Sequence, residues 1–274
     1  MIDTIKAVLE NTQNRTPMVH SITNNVTIND CANIILAAGG TAIMAQDERE
    51  VEEITSHAQA LVINMGAVRA QEAMLRAAKI AKRNGRPVVL DPVAAGASTL
   101  RREMCSRLLS ENLVSVIRGN ASEVRALAAG AEQETGVEAS ALDSVTEDNL
   151  QESAAWLRSF SRRTGAVVML TGAMDVITDG TRTAVVRGGS AYLRRITGAG
   201  CMLTSLIGAF CGADPDDPLA AVCSAMGVMG VCGELAEKRR LQNHTGNATF
   251  RTDLIDAVFN LTEQQLREGL RYEI

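Results

Sequence analysis

The chain predicts an α/β fold in three layers, αβα, with a mostly parallel central sheet and helices on both faces. Three observations carry that expectation. Candidate strands and helices alternate along most of the chain, the strands are continuously apolar, and the connections are short. Strands buried on both faces read as unbroken apolar runs, whereas a sheet with one wet face alternates apolar and polar residues. No composition shift and no repeat is visible, so a single domain over residues 1–274 is expected.

Ile2, Ile5, Val8 and Leu9 give the apolar face of a first helix that ends near Asn14. The segment from Pro17 to Val26 places His20, Ser21, Thr23, Asn24 and Asn25 between an apolar tripeptide and an apolar helix, Val26 to Ala38. It reads either as a loop with a capping Asn or Thr or as a ligand-facing loop. Gly39-Gly40 closes that helix; Thr41 to Ala45 is a short buried strand, and Asp47-Glu48 begins an acidic helix. Next come the strand Ala60 to Asn64, the helix Val68 to Arg83, the strand Val88 to Val93 and the helix Leu100 to Leu109. The strand Val114 to Asn120 and the helix Ser122 to Ala129 follow, and residues 130–145 are acidic, small and aperiodic, as in a surface loop and helix. An amphipathic helix over Leu150 to Thr164 leads to the strand Ala166 to Thr171. The Asp179-Gly180 turn then predicts a hairpin of Val176 to Thr178 with Thr183 to Val186, turning the sheet edge antiparallel. From Asp216 onward the tail reads as helical, with a Thr262-x-x-Gln265 capping box near its end.

Composition narrows the function classes. Net charge is −5, with acids and bases interspersed, so the basic face that binds nucleic acid is not expected. Aromatic residues make up 3 %, too few for base-stacking platforms. Six scattered cysteines without a CxxC pair, three single histidines and an amphipathic start in place of an apolar leader point to a reduced cytoplasmic compartment. Ile196 to Ala213 and Pro218 to Gly233 resemble membrane spans, but each is short for one and both are rich in Gly and Ala, so buried helices are expected and no membrane partner.

The stretch Thr197-Gly198-Ala199-Gly200-Cys201 stands directly before the uncharged run Met202 to Ala213. At a helix N-terminus the first backbone N–H groups lack internal partners and face an anion in the positive end of the dipole. Glycines there let the main chain approach a phosphate, and Cys201 stands beside it, its thiol pKa expected to fall at such a terminus so that a thiolate is available. Phosphoryl transfer is one reading; a glycine-rich helix start used only for packing is the other. In parallel sheets ligands bind beyond the carboxyl ends of strands, which singles out Met44, Asn64, Asp91, Arg118 with Asn120, and Thr171. An acid such as Asp91 ending an apolar strand is costly unless it meets a cation or donors. Glu123 reads either as an acid for a metal or as a first-turn cap. No P-loop, GxGxxG, HExxH or GxSxG occurs, so a nucleotide must be held in another way; Asp91 and Glu123 suffice for Mg²⁺ and its waters, and Arg118 for phosphates.

Val19-His20-Ser21-Ile22-Thr23-Asn24-Asn25-Val26, Asp91-Pro92-Val93, Ile117 to Glu123 and Thr197 to Cys201 together, and in this order, resemble the hydroxyethylthiazole kinases of thiamine salvage. The resemblance runs from about residue 17 to the last helices. It implies a ribokinase-like fold, Mg²⁺ with ATP as co-substrate, phosphorylation of the alcohol of 4-methyl-5-(2-hydroxyethyl)thiazole, and a homotrimer with substrate sites between subunits. By the same resemblance Met44, Gly198 and Asn25 belong to the substrate side, Arg118, Thr171 and Asn120 to the nucleotide, Asp91 and Glu123 to the metal, and Gly198, Ala199, Gly200 and Cys201 to catalysis. Two departures stand out: Ala94 occupies a place where some relatives have glycine, and Cys201 one where most kinases of this fold have aspartate. Competing readings are a hydroxymethylpyrimidine or pyridoxal kinase, a nucleotide-dependent dehydratase of the same fold, and a non-catalytic thiazole or thiamine binder.

Overall fold

The computed structural model describes residues 1–129 and 145–273; the loop and helix expected over 130–144 lie outside the described residues. Nine strands form one sheet among them. They are β1 (Met18–Ile22), β2 (Thr41–Ile43), β3 (Ala60–Asn64), β4 (Val88–Asp91), β5 (Val116–Asn120), β6 (Val167–Thr171), β7 (Asp175–Thr178), β8 (Thr183–Arg187) and β9 (Arg271–Glu273), in the order β2-β1-β3-β4-β5-β6-β7-β8-β9. Pairing is parallel from β2 through β6 and antiparallel from β6 to β9.

Each face of the sheet buries its own core. On one side Val19, Val62, Val89, Val116 and Met169 meet helices α1 (Ile2–Arg15), α2 (Ile28–Ala37), α8 (Ala199–Ala213), α9 (Pro218–Gln242), α10 (Asn247–Phe259) and α11 (Glu263–Gly269). On the other, Leu61, Ile63, Leu90, Ile117 and Val168 meet α3 (Val51–His57), α4 (Gln71–Arg83), α5 (Thr99–Ser110), α6 (Ala121–Ala129) and α7 (Leu150–Thr164). Alternate residues of a strand point to opposite faces, so an unbroken apolar run supplies both cores. Helix α9 is long and apolar enough to cross a membrane, yet 83 % of its apolar window is buried within the molecule, where it packs on α10, α8 and α1. The two span-like segments are therefore used as core helices.

Three expectations are corrected. The segment after Pro17 is not all loop: it opens with β1, whose polar His20 and Ser21 are buried between β2 and β3, and only after Ile22 does it turn, with Asn24 Oδ1 accepting from the N–H groups of Val26 and Thr27 as in the expected asparagine loop. The tail is not helical throughout, because Arg271–Glu273 returns as β9 to pair with β8. Helices α2, α3 and α4 begin later than their first apolar or acidic residues, at Ile28, Val51 and Gln71. Backbone turns such as Asp47 to Glu50 precede them, and propensity alone does not locate such a boundary.

Candidate active site

The carboxyl ends of the parallel strands fall in two steps: Asn64 is in register with Asp91, and Asn120 is in register with Thr171 two residues further along the sheet. The order β2-β1-β3 means that the chain reverses direction across the sheet at β1, and the crevice outside such a switch point is where ligands settle in open parallel sheets. Helix α8 enters there. Its intrahelical bonds start with Met202 N–H donating to Gly198 O, so the N–H groups of Ala199, Gly200 and Cys201 precede the series, at the positive end of the helix.

Glycine is required at one position of this turn and lets a side chain close in at another. Gly198 caps the helix in the left-handed region at φ 86°, and a β-carbon on it would stand 2.6 Å from Thr27 Cγ2. A β-carbon on Gly200 would stand 2.5 Å from Arg118 Nη1. The guanidinium thus lies directly on the helix start, as the anion-turn reading requires of an arginine meant for phosphate.

Arg118 also organises the carboxylates. Its Nη2 donates to Thr171 Oγ1 at 3.0 Å, and its Nη1 lies 4.0 Å from Asp91 Oδ2. Asp91 is 1 % exposed, and its Oδ2 accepts from Thr204 Oγ1 of α8 at 3.0 Å. Burial raises the Asp91 pKa; Arg118 opposes this, Glu123 adds to it, and hydrogen bonds from Thr204 and Asn64 lower it. Asp91 Oδ1 and Arg118 Nε are buried without any protein partner. In a native interior such orphans are rare and mark a strained or ligand-facing position.

Glu123 fulfils the capping alternative. Its Oε2 accepts from Asn120 N–H at 2.9 Å while Asn120 Oδ1 accepts from Glu123 N–H at 3.0 Å, a reciprocal box at the start of α6. Its Oε1 accepts from Ala94 N–H at 3.1 Å. A carboxylate has about four lone-pair directions, so two such bonds leave others open to water or a cation. Ala94 takes up the left-handed conformation at φ 58° although it is not glycine. A β-carbon makes that conformation costly, and strain of this kind collects at functional sites.

A cleft of about 730 Å³ opens beside this cluster, lined among others by Arg118, Asn120, Thr171, Asp175, Arg194 and the Gly198 turn. Met44 and Asn25 are not on its wall. Met44 is half-buried just after edge strand β2, and Asn25 is exposed with its Oδ1 accepting from Gln46 Nε2 at 3.5 Å. Gly198, on the cleft wall, packs on Thr27, two residues after Asn25.

Cys201 departs from expectation. The amides of Asn64 and Asn24 reach its Sγ at 3.4 and 3.5 Å, and Asn24 also donates to Asn64 Oδ1. Burial pushes the thiol pKa up from 9.0, the charge of Asp91 adds to that, and hydrogen bonds from Thr27 and Asn24 with the charge of Arg118 oppose it. The thiolate predicted from the helix terminus is therefore overturned. Burial beside a carboxylate holds Cys201 as the thiol, against the direction expected at a helix terminus.

Two contributors escaped the sequence. Asp175 is 7 % exposed, accepts from Gly172 N–H at 3.0 Å, and burial pushes its pKa up to about 6. Its only signal was an acid directly before the apolar run Val176 to Thr178. Thr204 sits in an apolar helix one turn after Gly200, where a hydroxyl facing Asp91 is indistinguishable from one bonded to the helix backbone, which it also reaches, at Gly200 O.

The model of the hydroxyethylthiazole kinase family matches residues 9–264. The chain belongs to that family. A hydroxyethylthiazole kinase of Clostridium acetobutylicum is 45 % identical over 98 % of this chain and 99 % of its own length, and one of Desulfovibrio desulfuricans is 43 % identical over 92 % and 91 %. The solved hydroxyethylthiazole kinase of Pyrococcus horikoshii superposes with a TM-score of 0.84 at 33 % identity, over 99 % of this chain and 98 % of that one. Pyridoxal kinase of Bacillus subtilis, at 17 % identity and a TM-score of 0.56 over 78 % of this chain and 90 % of its own, shares the fold alone. The three-layer fold is the ribokinase-like one, as the family's members and that more distant kinase share it.

Proposed function

We propose that this chain is a kinase, one unit over residues 1–274, that transfers the γ-phosphoryl group of ATP to the alcohol of 4-methyl-5-(2-hydroxyethyl)thiazole in thiamine salvage. The observation that carries it is the open start of α8 laid against the Asp91–Arg118 pair in a member of this family. The alcohol oxygen bonds to the γ-phosphorus as the bond from that phosphorus to the ADP oxygen breaks, giving an alkyl phosphate, ADP and a proton. Charge on the moving group spreads over its outer oxygens, so fixed donors do most of the work. The N–H groups of Ala199, Gly200 and Cys201 receive those oxygens, and Arg118, Thr171 and Asn120 hold the nucleotide. Cys201, as a thiol, orients through Asn24 and Asn64 and is not the base; the hydroxyl proton leaves late.

Asp91 and Glu123 fit Mg²⁺. Asp91 Oδ1 is a buried oxygen without a partner, Glu123 keeps free lone pairs, and Mg²⁺ uses one or two carboxylates and several waters. Among the described residues no group of three or more His, Cys, Asp or Glu forms a cage of its own, which accords with a cation shared with phosphate. When bound, the ion would neutralise charge on the phosphate oxygens.

The acceptor is read on the Met44, Asn25 and Gly198 side. Those residues lie toward a surface where Val26 and Leu36 are 75 % and 52 % exposed, which supports a homotrimer whose subunits complete one another's acceptor sites. All six cysteines are free thiols, in keeping with a cytoplasmic setting.

The test is incubation with Mg-ATP and the thiazole alcohol, with ADP release measured beside hydroxymethylpyrimidine and pyridoxal. Turnover preferring the thiazole is expected; preference for another alcohol overturns the assignment. Asp91→Ala and Glu123→Ala should each raise the Mg²⁺ needed for half activity, and an unchanged titration in both would make them structural acids.

A further inference from the structure

His20 is fully buried, and phosphoryl transfer as described makes no use of it. Its Nε2 lies 3.0 Å from Ala45 O, and a carbonyl oxygen only accepts, so Nε2 carries the hydrogen. Its Nδ1 lies 2.8 Å from Thr55 Oγ1. That hydroxyl also stands 2.5 Å from Val51 O. With Nε2 protonated in a neutral ring, Nδ1 is an acceptor, and the one hydroxyl hydrogen of Thr55 serves both it and the Val51 carbonyl. Burial lowers the pKa of His20, and the bond to Ala45 opposes this, so the ring is neutral at pH 7.

Together these contacts link α3, through Thr55, to the segment that leaves β2, through Ala45. His20 is in register with Ile43, the last residue of β2, and Ala45 follows Met44 directly. Strand β2 has three residues and lies at the sheet edge with one neighbour, so its own ladder holds the following turn weakly. Beyond Ala45, Gln46 reaches Asn25 at 3.5 Å. Met44 is thus followed by a carbonyl tied to β1 and a side chain tied to the Asn25 loop.

We infer that His20 is a positioning residue for the acceptor alcohol: its imidazole fixes the Met44–Gln46 turn against β1 and α3, and so sets where Met44 meets the substrate. This rests on the proposed acceptor side. The experiment compares wild type, His20→Leu and His20→Gln, with KM measured separately for the thiazole alcohol and for Mg-ATP. Leucine fills the site without a donor, while the glutamine amide can still donate to Ala45 O. His20→Leu should raise the alcohol KM about tenfold with the Mg-ATP KM within about twofold, and His20→Gln should recover most of the loss. A folded His20→Leu with unchanged alcohol KM, or equal rises in both constants, overturns the inference. If His20→Leu fails to fold, Thr55→Val decides: a rise in alcohol KM alone of about threefold supports it, and no change overturns it. A wild type that does not phosphorylate the thiazole alcohol removes the functional assignment and this inference with it; an active wild type with indifferent variants removes the inference alone.

Discussion

The two sides of the α8 N-terminus are built differently. On the Arg118 side a single chain supplies a walled cleft, a buried Asp91, a guanidinium held by Thr171 and a turn closed by Asp175. On the Met44 side the same chain supplies a three-residue edge strand, an exposed Asn25 and apolar side chains open to solvent. The first side is buried deeply enough to strand polar atoms without partners; the second is held by few hydrogen bonds and finishes at a surface. If the proposed assignment holds, the donor and acceptor sites should answer to different perturbations: local chemistry for one, association of subunits for the other.

Where the two sides meet, the largest effect is expected. Gly198→Val places a branched side chain against Thr27 in a left-handed turn, so turnover should fall roughly 10²- to 10³-fold with the circular dichroism spectrum retained. A folded, fully active variant would separate the α8 turn from both sites.

On the donor side the cost of burying a charge can be removed alone. The folded pKa of Asp175 is raised from 3.8 to about 6, so its contribution to stability is fully present below about pH 3.8 and is lost as the pH rises through about 6. At ~1.4 kcal/mol for each pH unit between those two values, the wild type loses roughly 3 kcal/mol through this group between about pH 3.5 and 7. Asp175→Asn should be the more stable protein at pH 7 and should lose that part of the pH dependence in denaturant titrations. Parallel curves for the two proteins would mean that the carboxylate is not desolvated.

On the acceptor side, dilution should act where no mutation is made. As sedimentation reports separated subunits, the alcohol KM should rise roughly tenfold or more while nucleotide binding, followed by direct titration, stays unchanged. Full activity in a monomeric species would erase the difference between the sides.

Cys201 is a milder test. As a neutral thiol it should be replaceable: Cys201→Ala should keep turnover within about tenfold of wild type, below the usual 10²- to 10⁴-fold worth of a general base, and Cys201→Asp should keep or improve it. Complete loss in a folded Cys201→Ala variant would restore the cysteine as catalyst.

Smallest of all, Ala94→Gly should raise stability by about 0.5–1 kcal/mol by relieving a left-handed alanine, read as a higher melting temperature. A lower one would show that the Glu123 contact depends on the rigidity of alanine.

Alternation of apolar strands with helices was enough to specify the parallel sheet and its two covered faces, because burial on both faces leaves an unbroken apolar run, and the Asp179-Gly180 turn marked the antiparallel edge. The ends of those strands singled out Asp91, Arg118, Asn120 and Thr171, and glycines directly before an uncharged run marked the start of α8. The apolar pattern failed at β1, where His20 and Ser21 interrupt the run: the burial of His20 depends on partners that arrive from Thr55 and Ala45, further along the chain. It failed at β9 for a similar reason, since three residues pair only because β8 presents an open edge. Local sequence determined that a helix opens at Gly198 and that Glu123 can cap α6. The tertiary structure alone decided the ionisation of Cys201, the strain at Ala94 and the conjunction of Asp91 with Thr204, because desolvation and long-range charge depend on which surfaces the folded chain brings together.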